Sequence, residues 1–137
     1  MSVKIKITYN AGKLASEMPK IIQKHMGRYA RSSEKGAKEK IDSGKLRPLK
    51  DFTIRSRKSR GITGTKPLFE TGSLHRSIKG RSDGVLTMAG YGIHHHRGFT
   101  NNKGIQVDPR PYIAPSEKTI LKAFDAFRKN VRRAFKK

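Results

Sequence analysis

Two stretches of apolar residues spaced three or four positions apart limit the fold most strongly, because each predicts an amphipathic helix that must bury one face. The first stretch comprises Leu14, Met18, Ile21, Ile22, Met26, Tyr29 and Ala30. It predicts a helix that begins at Pro19, continues towards Ile41 and is capped by Gly44. The second stretch comprises Ile120, Leu121, Phe124, Phe127, Val131 and Phe135. It predicts a terminal helix that begins near residues 115–117.

Shorter patterns predict a small, mostly antiparallel sheet. Val3, Ile5 and Ile7 alternate with polar residues, as in a strand with one buried face. The Asp-Gly pair at 83–84 is typical of a hairpin tip, and residues 85–89 would form its returning strand. Together with the two helices, these strands predict an α+β fold.

The segments between these elements contain few periodic apolar residues. Residues 45–67 hold two prolines and a basic run, and they predict a long, extended, basic loop. Thr71 is placed to cap a short helix over residues 72–79, with Leu74 and Ile78 on one face. Residues 98–108 read as another loop, and the prolines of residues 109–113 favour an extended segment.

Size and apolar content bear on how this fold is stabilised. The chain has 137 residues, so a single domain over residues 1–137 is expected. Only 34% of the residues are apolar, which leaves little material for a core. We therefore expect assembly, because a core shared between subunits would relieve that shortage.

The charge of the chain indicates polyanionic partners. Lysine and arginine number 32 against 10 acidic residues, a formal net charge of +22, and such a surplus is best tolerated opposite nucleic acid or an acidic protein. Contacts to DNA would be to phosphates and therefore nonspecific. The candidate contact residues are Arg55, Arg57, Lys58, Arg60, Arg128, Arg132 and Arg133.

No apolar run is long enough to span a membrane, and the amino-terminal residues have no secretory leader pattern. Cysteine is absent, which excludes disulfides and thiolate metal sites.

Three consecutive histidines, His94, His95 and His96, raise the question of a metal or catalytic site. In a strand, His94 and His96 would share a face and could bind zinc with Asp108 as a third ligand. The sequence lacks a helical His-x3-His spacing, and Ser73 and Ser77 lack a nucleophile elbow. The residues therefore favour a structural role for the histidines, with no catalytic, metal or cofactor site. A metal-dependent nuclease stays as a weaker alternative.

Several short motifs occur in an order and spacing that resemble a known family. They are Arg47-Pro48-Leu49 with Thr53, Lys66-Pro67-Leu68, Thr71-Gly72-Ser73-Leu74 with Ser77-Ile78, Gly90-Tyr91, His95 with Gly98, and Arg110-Pro111-Tyr112-Ile113. Over residues 45–113 the chain resembles the virion-morphogenesis and tail-completion proteins of tailed phages. His94 and His96 depart from the pattern, because they flank the single histidine that is usual there.

The resemblance implies a structural, non-enzymatic component of the head–tail junction. Such a protein would form a homo-oligomeric ring around the DNA channel and contact adjoining neck and tail proteins, such as a connector, a tail terminator or the tube. It would be located in the virion, and in the host cytoplasm during assembly. We expect residues 47–66 and 98–108 to contact neighbouring subunits or rings. The alternative from another class is a free, basic nucleic-acid-binding protein.

Overall fold

The computed structural model describes residues 11–113, 115 and 117–136. Within them the helices are α1 (Ala11–Asp42), α2 (Asp51–Ser59), α3 (Ser73–Ser77), α4 (Tyr91–Arg97) and α5 (Glu117–Phe135). The strands are β1 (Lys79–Gly80), β2 (Leu86–Thr87), β3 (Phe99–Thr100) and β4 (Gln106–Val107). The α+β prediction is confirmed. The strand predicted around Val3, Ile5 and Ile7 lies outside the described residues.

The longest element, α1, begins earlier than its sequence predicts. Pro19 lies inside the helix instead of in its first turn, so the predicted start is wrong. A proline removes one backbone donor from a helix, and here α1 continues on both sides of that position. The predicted end is confirmed: the Ser43 N–H donates to the Glu39 carbonyl at 2.9 Å, and Gly44 has a φ of 66°.

The hairpin β1–β2 lies directly on α1. Its strands pair antiparallel, with Gly80 opposite Leu86, which confirms the predicted hairpin. A Cβ atom at Gly80 would overlap the backbone carbonyl of Ala30. The Gly80 N–H donates to Glu34 Oε2 at 2.7 Å, and this hydrogen bond, followed by that from Lys38, lowers the pKa of Glu34. Close backbone approach and a partly buried carboxylate acceptor thus fix the hairpin on the helix.

The hydrophobic core forms where the C-terminal half of α1 meets α3 and the extended segment 109–113. Its buried residues are Ala37, Ile41, Leu74, Ile78 and Tyr112. The Tyr112 hydroxyl donates to the Gly92 carbonyl at 2.9 Å, which satisfies the one polar atom of this side chain. Burial raises the pKa of Tyr112 to about 12. The core therefore joins residues that are far apart in the sequence.

The terminal helix that the second apolar stripe predicts is present as α5, and it packs against α1. His25 of α1 joins the two helices, because Asn130 Nδ2 lies 2.9 Å from its Nε2 and the Phe127 ring meets its ring edge-on. The stripe is only partly buried: Leu121 is 57% and Phe124 is 62% exposed.

Both predicted loops contain regular structure, so these predictions are wrong. Residues 45–67 include α2, and residues 98–108 form the hairpin β3–β4. The turn of that hairpin is held by the Asn101 side chain, whose Oδ1 accepts from the N–H groups of Lys103 and Ile105. Side-chain-to-backbone bonds of this kind stabilise turns without any apolar period.

The short helix α3 also differs from its prediction. It spans Ser73–Ser77, and its N-cap is Gly72 in the left-handed region, with a φ of 75°. Thr71 lies one position before the cap, and its Oγ1 lies 2.8 Å from Ser73 Oγ. The prediction of Leu74 and Ile78 as core residues is confirmed.

Candidate functional site

A cleft of about 480 Å³ lies between α2, the segment before α3, the start of α4 and the hairpin β3–β4. Three of its apolar side chains are exposed, namely Phe52, Tyr91 and Ile105, with Phe52 at 77%. Two carboxylates, Glu70 and Asp108, also line it, but both already pair with arginines of the same subunit. The exposed apolar side chains are therefore the part of the cleft that suits contact with another protein. We call this feature the α2 cleft.

The buried guanidinium of Arg57 holds one wall of the α2 cleft. Its Nη1 donates to the carbonyls of Gly64 and Lys66 at 3.1 and 3.0 Å, and its Nε lies 3.7 Å from Glu70 Oε2. The side chain is only 5% exposed. Arg57 therefore stabilises the connection between α2 and the Pro67 segment, and the prediction that it contacts DNA is wrong.

Arg110, like Arg57, joins two backbone segments through its guanidinium, and we call each of these arrangements a clamp. Its Nε donates to the Arg47 carbonyl at 3.0 Å and its Nη2 to the Pro48 carbonyl at 3.2 Å. Its backbone N–H donates to the His95 carbonyl at 2.9 Å. Burial lowers the pKa of this guanidinium, and the Asp108 carboxylate opposes that shift. Arg110 thereby ties the segment before α2 to α4.

The three histidines lie on α4, so the strand that would place His94 and His96 on one face is wrong. His96 Nδ1 accepts from the backbone N–H groups of Tyr112 and Ile113 at 3.2 and 3.3 Å. This geometry requires an unprotonated Nδ1. Burial, followed by the charges of the nearby Arg97 and Lys40, lowers the pKa of His96. A lowered pKa favours the same unprotonated ring that these hydrogen bonds require.

The other two histidines have different environments. The His95 ring lies edge-on to those of Tyr91 and Phe99, and burial lowers its pKa. The exposed His94 lies edge-on to Phe99 as well. Among the described residues, no group of three or more histidine, cysteine, aspartate or glutamate side chains could hold a metal ion.

The motif residues mostly make structural contacts. Leu74 and Ile78 lie in the core, and Pro67, which is also buried, precedes Leu68. Ser77 Oγ donates to the Leu74 carbonyl at 2.7 Å and accepts from the Ala89 N–H at 2.9 Å. These contacts explain the residue types at the motif positions by packing and hydrogen bonding.

The remaining motif positions set the backbone path. Leu68 has a φ of 58° and packs against the core, which is unusual for a residue other than glycine. Gly98, with a φ of 78°, ends α4. Gly90 begins α4 and Pro111 is exposed beside the buried Tyr112.

The basic residues predicted to contact DNA or an acidic partner separate into two groups. Arg57 is buried, and Arg60 forms an ion pair with Glu70, at 2.6 Å between Nη1 and Oε1. The others are exposed on α2 and α5, and they are Arg55, Lys58, Arg128, Arg132 and Arg133. A phosphate can therefore reach these five side chains directly.

Two polar residues important for the fold were not singled out from the sequence. His25 and Glu34 both lie on α1 and bond to distant elements, α5 and β1. A signal existed for His25, because it falls within the first apolar stripe, between Ile22 and Met26. Glu34 has no such signal, since its partner is a backbone N–H.

Comparison of the chain with protein-family models, with curated proteins and with solved structures finds no match. Within the described parts of the chain, no helix is both long and apolar enough to cross a membrane.

Proposed function

We propose that this chain is a structural protein of the head–tail junction of a tailed phage or phage-like particle, where it completes the tail and forms a homo-oligomeric ring. One observation carries the proposal. Motif segments separated by up to about 40 positions meet around one core, in which Leu74, Ile78 and Tyr112 are buried together. These shared contacts support the resemblance, because they give the motif order one packing role within the subunit.

The α2 cleft supplies a surface for joining copies. Phe52, Tyr91 and Ile105 offer exposed apolar area there. Burial of these side chains against a different face of the next copy would favour association. Contacts between two different faces of identical subunits close into rings when the rotation permits.

The exposed arginines supply the contact with DNA or with acidic neck and tail proteins. Arg128, Arg132 and Arg133 are exposed towards the end of α5, and Arg55 and Lys58 are exposed on α2. Such side chains bind phosphates without reading the base sequence. A ring around a DNA channel accounts for a subunit with a net charge of +22.

Light scattering of the purified protein at low and high salt tests this proposal. We expect a discrete ring, formed alone or on addition of isolated tails. Phe52→Ser should shift it to monomer without changing the circular dichroism spectrum, because Phe52 is 77% exposed. Phe124→Ser, on a different surface, is the matched control and should leave the ring intact.

A persistent monomer that binds DNA, and that neither forms rings nor binds tails, would overturn the proposal. The protein would then be the free, basic nucleic-acid-binding alternative.

A further inference from the structure

An apolar groove of about 420 Å³ runs between α1, α5 and the tip of the β1–β2 hairpin. Exposed apolar side chains from both helices line it: Ile22, Met26 and Tyr29 from α1, and Phe124 from α5. Met26 is 50% and Phe124 is 62% exposed. Contiguous exposure of this kind marks a binding surface more often than chance.

A basic groove of about 610 Å³ adjoins the apolar one. The two share His25, Tyr29 and Ala123, so they form one continuous surface along the seam of the two helices. Four cationic side chains line the basic part, and they are Arg28, Lys35, Lys40 and Lys122. The acid in this lining, Glu39, already pairs with Lys35 at 3.8 Å. We call the combined surface the seam groove.

The floor of the seam groove is fixed by contacts within the subunit. His25 lies 2.9 Å from Asn130 and edge-on to Phe127. Burial, followed by the charges of Arg28 and Lys24, lowers the pKa of His25. A ligand therefore meets a formed site, which limits the ordering cost of binding.

We infer that the seam groove binds an acidic amphipathic helix of another protein. Apolar side chains on one face of that helix would contact Met26 and Phe124, and its carboxylates would pair with Arg28 and Lys122. Helices commonly dock into grooves in this way. The inference does not depend on ring formation, because the α2 cleft is a separate surface.

Charge favours an acidic helix in the seam groove over two other occupants, a second copy of the chain and the amino-terminal residues 1–10. A second copy would bring its own surplus of +22 to a basic groove, where like charges repel. The amino-terminal residues 1–10 include Val3, Ile5 and Ile7, but their charged side chains are Lys4 and Lys6 and they contain no acid. An acidic amphipathic helix can contact the apolar part of the groove with its apolar side chains and the basic part with its carboxylates.

Titration with a designed, fluorescein-labelled peptide tests the inference by fluorescence anisotropy. The helix α5 has 19 residues and spans about 28 Å, so a helical peptide of about 18 residues covers the groove. The probe carries leucine on one face and glutamate elsewhere. A scrambled peptide of the same composition controls for bulk attraction to a basic protein, and a leucine–lysine peptide controls for apolar contact alone.

We expect the acidic amphipathic peptide to bind at least tenfold more tightly than either control. Phe124→Ser and Met26→Ser should each weaken its binding about tenfold, and Lys122→Glu should do the same. Phe52→Ser, which removes a still more exposed phenyl group from the α2 cleft, should leave peptide binding unchanged. If Phe52→Ser abolishes the oligomeric ring but leaves peptide binding intact, the two surfaces act independently. This result separates the inference from the proposed function.

Three results would overturn the inference. Equal binding of the scrambled peptide would reduce the effect to bulk charge. An oligomer that dissociates on Phe124→Ser, with no peptide binding, would assign the groove to a second copy. Peptide binding that occurs only after deletion of residues 2–9 would assign the groove to the amino-terminal segment.

Discussion

At the residue scale, two glycines at the start of α4, Gly90 and Gly92, lie in opposite environments. A Cβ atom at Gly92 would lie 2.7 Å from the Tyr112 hydroxyl and 2.8 Å from Leu74 Cδ1, whereas one at Gly90 meets no atom within 4 Å. We expect Gly92→Ala to lower the free energy of unfolding by about 2 kcal/mol through overpacking. The matched control Gly90→Ala, at a helical φ of −54°, should change it by less than about 0.5 kcal/mol. Urea unfolding measures both, and equal effects would contradict the packing at Gly92.

The protonation of His96 should make stability depend on pH. In the folded chain its Nδ1 accepts two backbone bonds and its pKa is lowered, so the unfolded chain binds the proton more readily. Stability should therefore be greatest above about pH 6.5 and fall as the pH drops through the lowered pKa of the folded state. His25 and His95, whose pKa values are also lowered by burial, add to the same trend.

Urea midpoints between pH 7.5 and 5 measure this trend. His96→Asn keeps an acceptor for the two N–H groups but does not titrate, so its loss of stability at low pH should be smaller than that of the unmodified chain. His94→Asn, on the exposed side of the same helix, is the control and should retain the full loss. An unchanged slope in His96→Asn would show that protonation of His96 is not involved.

At the element scale, α2 depends on one buried side chain. Arg57 donates to the carbonyls of Gly64 and Lys66 and lies beside Glu70. Replacing it by Gln removes the charged donor from these two carbonyls and leaves Glu70 without this partner, and we expect a loss of about 2 kcal/mol in the free energy of unfolding. Arg55→Gln, on the exposed face of α2, should cost less than about 0.5 kcal/mol. Equal stability of the two variants in urea would contradict the clamp.

Hydrogen bonds such as those of Arg57 explain why the sequence predicts some elements and not others. The two long helices and the β1–β2 hairpin follow from apolar spacing and an Asp-Gly turn, so pattern alone predicts them. The helix α2 and the hairpin β3–β4 are held by Arg57 and Asn101, which bond to backbone atoms up to nine positions away. Such bonds follow no sequence period, so the sequence of these two regions predicts loops.

The candidate site was predictable to a similar extent. The exposed arginines of α5 follow from the polar face of an amphipathic helix. The burial of Arg57 within an otherwise basic run does not, because its partners are carbonyls and one glutamate that only the fold brings together. The sequence does not predict the seam groove either: it contains both apolar stripes, but the extent to which each covers the other depends on how α1 and α5 pack.

At the scale of the whole molecule, the charge is distributed over surfaces with different roles. Glu70 and Asp108 pair with arginines beside the α2 cleft, cations line the basic part of the seam groove, and Arg128, Arg132 and Arg133 are exposed on α5. A net charge of +22 attracts any polyanion. To distinguish a DNA-contacting face from the effect of total charge, the same number of charges must be removed from two different surfaces and the DNA binding of the two variants compared.

Replacing Arg128, Arg132 and Arg133 together by Gln provides that comparison. If each arginine neutralises one phosphate, the slope of log K against log salt for duplex DNA should become shallower by about 2 to 3, since each contact contributes about 0.9. Lys20, Lys24 and Arg31 are exposed on α1, and their joint replacement by Gln removes the same charge elsewhere. Because that control leaves the α5 arginines in place, its slope should change by less than half as much. Equal slopes in the two triple variants would mean that DNA responds to the total charge of the molecule and that α5 presents no defined contact face.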